Sequence, residues 1–201
     1  VKAWKKDYQN LQKLYVIQVR SGCGGPSIQL REVQRQFGLT IDKCQTVSAN
    51  GLNAHDGCHY AFKNGYELLG QQLARLVGRD FYDSQEQNVD PPDVKSAVYN
   101  NANQTEVKLL MQRPLDSVYA DVNFHTLFGI NGDSRVWITD GKIVNNTVIL
   151  TLNTSSCLPL TLSYDGYRGN NPWVKNSTEM GLISFNNLPI ISHAIVDQYF
   201  A

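Results

Sequence analysis

Five consecutive residues, His55-Asp56-Gly57-Cys58-His59, gather the densest set of reactive side chains in this 201-residue sequence. An aspartate three residues before a histidine, in one loop, can accept a hydrogen bond from one imidazole nitrogen and so fix the tautomer. The other nitrogen is then free to take a proton from a serine hydroxyl, so Asp56 and His59 read as the orienting acid and general base of a serine hydrolase. Two other readings use the same residues. His55, Asp56, Cys58 and His59 are all potential metal ligands, although consecutive positions in a glycine-containing loop rarely converge on one ion. A solvated loop whose aspartate caps the next helix is the plainest alternative. With 13 Asp and 4 His, an Asp-x-x-His arises by chance in about one such sequence in four, so the flanking segments must decide.

Those segments alternate between helical and extended patterns. Trp4, Tyr8, Leu11 and Leu14 recur near helical spacing over residues 4–14. Leu14-Tyr-Val-Ile-Gln-Val19 follows as an apolar run of the kind buried on both faces of a parallel sheet. A glycine-rich turn at 21–26 precedes a helix expected from Ser27, as N-cap, through Phe37, with Gly38 as its stop. Cys44–Ser48 reads as a short strand. Asn64–Phe81 reads as the clearest helix, with Tyr66, Leu69, Leu73, Leu76 and Val77 on one face. The Asp56/His59 loop therefore falls between a strand and a helix, at the C-terminal edge of the inferred sheet, where open α/β folds place their sites. Residues 83–93 lack an apolar period and contain a double proline, the composition of a linker. Beyond it, β-prone runs at 94–99, 106–111, 136–139, 148–152, 158–164 and 182–185 alternate with turn dipeptides, which predicts an all-β sandwich domain over 94–201.

The charge balance is even, 18 basic against 18 acidic residues with no dense basic stretch, so a nucleic-acid partner is not expected. No apolar run approaches the length of a membrane span. The cysteines at 23, 44, 58 and 157 lack paired zinc-ligand spacing, and neither a metal nor another cofactor is expected. One disulfide among the first three would suit an oxidising compartment. Asn103, Asn145, Asn153 and Asn176 head glycosylation-type triplets, which Asn-rich loops also generate by chance.

The blocks Leu14-Tyr-Val-Ile-Gln-Val-Arg-Ser-Gly-Cys-Gly-Gly25, Leu30-Arg-Glu-Val-Gln-Arg35, His55-Asp-Gly-Cys-His-Tyr60, Asn64-Gly-Tyr-Glu-Leu-Leu-Gly70 and Leu73–Tyr82 stand in one order along the chain. Together they resemble the end of the catalytic domain of sialate O-acetylesterase-like carbohydrate esterases, members of the SGNH/GDSL hydrolase superfamily. The resemblance covers most of residues 1–82. It continues in Asn171-Pro-Trp-Val174 and Gly181–Ile190, which look like the closing segment of the β-domain that follows such esterase domains. It implies an α/β fold, the C-terminal part of a three-layer parallel-sheet domain, followed by a β-sandwich accessory domain. It also implies an acetylated carbohydrate substrate and a secreted, periplasmic or cell-surface location. The family's last sequence block, Asp-x-x-His, maps onto Asp56 and His59. Its nucleophilic serine and oxyanion-hole Gly and Asn belong to blocks that would precede Val1, so the resemblance implies that an N-terminal segment of the same protein, or a partner chain, supplies them.

Gly132-Asp133-Ser134 spells the missing serine motif, but it follows the Asp-x-x-His and reads as a turn between β-prone runs. Arg20, just past the apolar run, could contact a polar or acidic substrate or pair with a carboxylate. His125 and His193 have no acidic neighbour at useful spacing and read as structural. Trp137 and Trp173 could stack on sugar rings, although tryptophans buried in a sandwich are commoner. Two functions follow: a carbohydrate O-acetylesterase for which this chain supplies acid and base, or a non-catalytic carbohydrate-binding or assembly module with an idle triad remnant. In either case a parallel sheet short of strands would expose an apolar edge and face.

Overall fold

The structure, a computed structural model, describes residues 2–20, 28–52, 56, 58–113, 118–166 and 173–192. Helix α1 (Lys2–Asp7) leads to strand β1 (Leu14–Ile17), helix α2 (Ile28–Thr40), strand β2 (Cys44–Val47) and helix α3 (Glu67–Phe81). The β-rich remainder holds β3 (Val94–Tyr99), β4 (Glu106–Met111), β5 (Tyr119–Ala120), β6 (Phe128–Asn131) and β7 (Ile138–Val144). It continues with β8 (Thr147–Leu152), β9 (Thr161–Tyr164), β10 (Val174–Lys175) and β11 (Phe185–Ile191). The fold is mixed α/β and rich in sheet. Ser27, the expected N-cap of α2, lies outside the described residues.

Strands β1 and β2 pair in parallel, from Leu14 opposite Cys44 to Ile17 opposite Val47. Burial of β1 on both faces is not what forms: its residues are half-buried and Ile17 is 39% exposed. Among the described residues β2 is its single strand neighbour. An open apolar groove lined by Trp4, Leu14, Tyr15, Val16, Val33 and Phe37 runs beside it. Helix α2 also departs from expectation, running past Gly38 to Thr40. Gly38 is there for contact: a Cβ would stand 2.4 Å from Thr46 Oγ1 and 2.6 Å from Thr46 N, so only glycine lets α2 lie this close to β2. Helix α3 begins at Glu67 rather than Asn64. Lys63 is extended and Asn64 takes φ 57°, a left-handed conformation that asparagine tolerates and that breaks a helix.

Seven strands form one mixed sheet in the order β6-β9-β11-β3-β4-β8-β7, parallel at β11–β3 and antiparallel elsewhere. The sheet curls until its end strands β6 and β7 meet, and β5 and β10 pair separately. Its concave side buries Val94, Leu109, Leu150, Leu162, Tyr164 and Phe185. A second core lies against α3, where Leu52, Leu69 and Leu76 pack with Val89 and Met180. Each fully buried side chain of this size contributes about 1.5–3 kcal/mol.

The two cores meet at a polar seam centred on Gln18. Its Nε2 donates to Arg31 O and to Ser184 O, and its Oε1 accepts from Ser184 N, each at 2.9 Å. Asn50 Nδ2 donates to Leu182 O at 2.5 Å and Ser184 Oγ at 3.1 Å. Arg31 pairs with Asp165, and Arg35 bridges Glu32, Asp93 and Val94 O. The seam explains why the run expected at 182–185 becomes a strand only from Phe185. Leu182, Ile183 and Ser184 give their N–H groups to Val174 O, Pro92 O and Gln18 instead. The run at 136–139 is displaced for a similar reason, since Val136 and Trp137 donate to Asp133 O and Asn153 Oδ1 before β7 starts. Residues 83–93 form no helix or strand, yet Val89, Pro91 and Pro92 are buried there. Asn176 is fully buried with Nδ2 on Asn88 O and Asp90 O, so its triplet is internal and not a glycosylation acceptor.

Replacing Gln18 with leucine strands the Ser184 N–H and two carbonyls in the interior. A loss of about 2–4 kcal/mol is expected, read from the urea-unfolding midpoint. Asp80 ties β1 to α3: it accepts from Tyr15 Oη at 2.6 Å and from Arg79 Nε at 2.8 Å. Burial pushes its carboxyl up, but the bonds from Arg79 and Tyr15 and the charges of Arg79 and Lys13 outweigh this and hold it at about 2. A folded-state value below the unfolded one stabilises at pH above about 4, and that contribution disappears as pH falls through 2. Asp80→Asn is therefore expected to flatten the fall in thermal midpoint between pH 4 and pH 2.

Candidate functional site

The loop after β2 carries Asp56 and His59. Asp56 Oδ1 accepts the main-chain N–H groups of Cys58 and His59, both at 2.8 Å, closing a short turn in which an aspartate mimics a backbone carbonyl. The same carboxylate lies against His59 Nδ1, at 2.8 Å from Oδ2 and 3.0 Å from Oδ1. A carboxylate only accepts, so Nδ1 carries the proton and, in the neutral ring, Nε2 keeps its lone pair. Among the described residues Nε2 has no hydrogen-bond partner. The bond from His59 N, then that from Cys58 N, then that from the imidazole, hold the Asp56 carboxyl well below the usual carboxylate range. Asp56 thus stays an anion through the working range of any histidine base.

Both side chains face solvent, Asp56 at 52% and His59 at 68% side-chain exposure. Backbone contacts hold the loop to the body of the protein. Arg20, which follows Gln18 and Val19 beyond the end of β1, is buried, and its Nη1 donates to Asp56 O at 2.6 Å and to His59 O at 3.3 Å. Its guanidinium sits 5.7 Å from the centre of the Tyr60 ring, which in turn meets Tyr66 edge-on at 5.5 Å. Burial pushes the Tyr60 hydroxyl up to about 12 despite the nearby Arg20 charge. Cys58 is disulfide-bonded, while Cys44 and Cys157 belong to no disulfide and Cys23 lies outside the described residues.

The structure thus brings Asp56, His59 and Arg20 together, and among the described residues Arg20 binds main-chain carbonyls rather than a carboxylate. Of the loop's potential metal ligands, Cys58 is spent on its disulfide and Asp56 on His59, and His55 lies outside the described residues. Ser134 is exposed in the turn at 134–135. That turn is organised by Asp133, which accepts from Arg135 N, Nε and Nη2 and from Ser156 Oγ. His125 lies in a helical turn at Phe124–Leu127, and His193 falls outside the described residues. Trp173 is buried under Lys175, whose Nζ stands 4.7 Å above its ring, whereas Trp137 is 57% exposed. Sequence reasoning missed Gln18, Asn50 and Tyr60. The signal for Gln18 was a polar residue interrupting an apolar strand run.

No protein-family model matches the chain, and no curated protein matches it either.

Asp56→Ala removes the acceptor of both loop N–H groups. Hydrogen-exchange protection at the Cys58 and His59 amides is expected to fall by roughly tenfold or more, with the global unfolding midpoint little changed.

Proposed function

We propose that this chain supplies the orienting acid and general base of a serine esterase that removes acetyl groups from carbohydrate. The observation that carries this reading is the Asp56–His59 pair: an anionic carboxylate 2.8 Å from Nδ1, with Nε2 left to receive a proton. A serine Oγ attacks the acetyl carbonyl while His59 Nε2 takes its proton. The tetrahedral intermediate collapses, the sugar hydroxyl leaves with that proton, and water then hydrolyses the acetyl-serine to acetate by the same exchange. This chemistry fits the resemblance of residues 1–82 to SGNH-type esterases, as the end of a three-layer domain, with residues 94–201 as a sandwich-like accessory domain.

The serine and oxyanion donors come, in this reading, from an N-terminal segment of the same protein or from a partner chain. The open side of β1, with its apolar groove, supports such a neighbour. The disulfide at Cys58 supports an oxidising location, secreted, periplasmic or at the cell surface. Among the described residues no helix is long and apolar enough to cross a membrane.

A preparation containing the serine-bearing segment is expected to hydrolyse a chromogenic acetyl ester and O-acetylated sugars. His59→Ala should lower kcat/KM by at least about 10³-fold, and Asp56→Asn by about 10²–10⁴-fold. Unchanged kcat/KM in His59→Ala would sink the reading.

A second reading is favoured by Trp137, which is exposed on the β-rich part, its main-chain N–H donating to Asn153 Oδ1. Aromatic faces of this kind stack on sugar rings, which would make the chain a carbohydrate-binding module. Glycan-array binding lost in Trp137→Ala, with catalysis absent from every preparation, would establish it. A flat array from the wild-type chain would remove it.

A further inference from the structure

We infer that Arg20, braced by the Tyr60 ring, is a positioning residue that fixes the Asp56–His59 loop in the geometry for proton transfer, and is not a substrate ligand. The inference rests on the esterase reading for its catalytic consequence, but its structural part stands on contacts alone.

The bonds that shape the loop are internal to it. Asp56 binds the N–H groups of Cys58 and His59 and the His59 ring, and Asp56 N donates to His59 O over a long 3.4 Å. That main-chain bond is too long to close the turn firmly, so Asp56 stays against the Cys58 and His59 N–H groups only while the carbonyl side of the loop is held from outside. Among the described residues, the Arg20 guanidinium ties both ends of it to the body, and Cys58 is further held by its disulfide. Arg20 Nη1 grips the carbonyls of both functional residues at once, and a charged donor makes a stronger bond than a neutral one.

The anchor is itself rigid. Val19 N donates to Gln34 Oε1 at 3.0 Å, and Gln18 is locked between Arg31 and Ser184. Arg20 therefore leaves a segment that cannot shift, and the Tyr60 ring holds its planar group from one face. With the dyad so exposed, little packing would replace this hold if it were lost. A misplacement of about 1 Å at a reacting group costs on the order of 10²-fold in rate.

Arg20→Met and Arg20→Lys, made in the full chain, test the inference by two readouts. The first is the titration of the Asp56 carboxyl by carbon-13 NMR, with the downfield Nδ1–H resonance of His59 alongside. Arg20→Met is expected to move the Asp56 midpoint up toward the ordinary carboxylate value and to broaden the Nδ1–H signal. Arg20→Lys should recover part of both, because an ammonium can still donate to the two carbonyls. Tyr60→Leu keeps the guanidinium but removes its brace, and should shift Asp56 in the same direction by less, which keeps the test open if Arg20→Met does not fold.

The second readout is kinetic, in the preparation that carries the serine: kcat should fall about 10–100-fold in Arg20→Met with KM little changed. An Asp56 titration that is unmoved in folded Arg20→Met overturns the inference, as does a rise in KM at constant kcat, the mark of a substrate ligand. If Asp56 moves as expected but the wild-type preparation hydrolyses no ester, the clamp is upheld and the esterase reading fails instead.

Discussion

A single buried amide fixes how the two parts of this protein meet. Gln18 reads the main chain of Ser184 at both its N–H and its C=O while its other N–H holds a carbonyl of α2. Every polar atom of that amide is matched, and none could be unmatched cheaply, because a buried group without a partner bears its whole desolvation cost. The residue just after β1, the first turn of α2 and the residue just before β11 are therefore held at one relative position. Asn50 adds a second such lock on the stretch after β2 that leads toward the site loop. Gly181 makes room for it, since a Cβ there would lie 2.4 Å from Asn50 O.

This polar joint is paired with interlocked apolar cores. Met180 and Val89 come from the later part of the chain and complete the core under α3. The ion pairs around them add orientation more than net stability. Arg35 draws in Asp93, yet burial outweighs that attraction and leaves the Asp93 carboxyl raised to about 6. Bringing charges out of water often consumes what their attraction returns. What such pairs supply is a single seating for α2 against the sheet.

The functional loop inherits its position from that seating. Its chemistry is local in origin, since an aspartate three residues before a histidine can accept from the loop's own N–H groups and set the imidazole tautomer. Its placement is not local, because the carbonyls of Asp56 and His59 hang on an arginine that emerges from the locked end of β1. The dyad is also open to water, where charge–dipole interactions are weak. In the proposed esterase, the donors and low-dielectric walls that stabilise an oxyanion would come from a neighbouring segment on this face.

The sequence by itself determined the features whose cause is short-range. The parallel pair around Leu14–Ile17 and Cys44–Val47, the body of α3, the first two strands of the large sheet and the Asp56–His59 bond all follow from periodicity or from spacing of three residues. Gly38 read as a helix stop because glycine's usual local meaning is termination; only the packing of α2 on Thr46 turned it into a contact residue. Asn176 headed a triplet that fits the glycosylation pattern or arises by chance, and only burial, which gave its amide two internal carbonyls, decided against an acceptor. The onset of β11, the curl of the seven strands into one sheet, and the grip of Arg20 on the loop were decided by the tertiary structure. Each depends on a backbone group finding a partner more than 30 residues away, and no local pattern records which partner that will be.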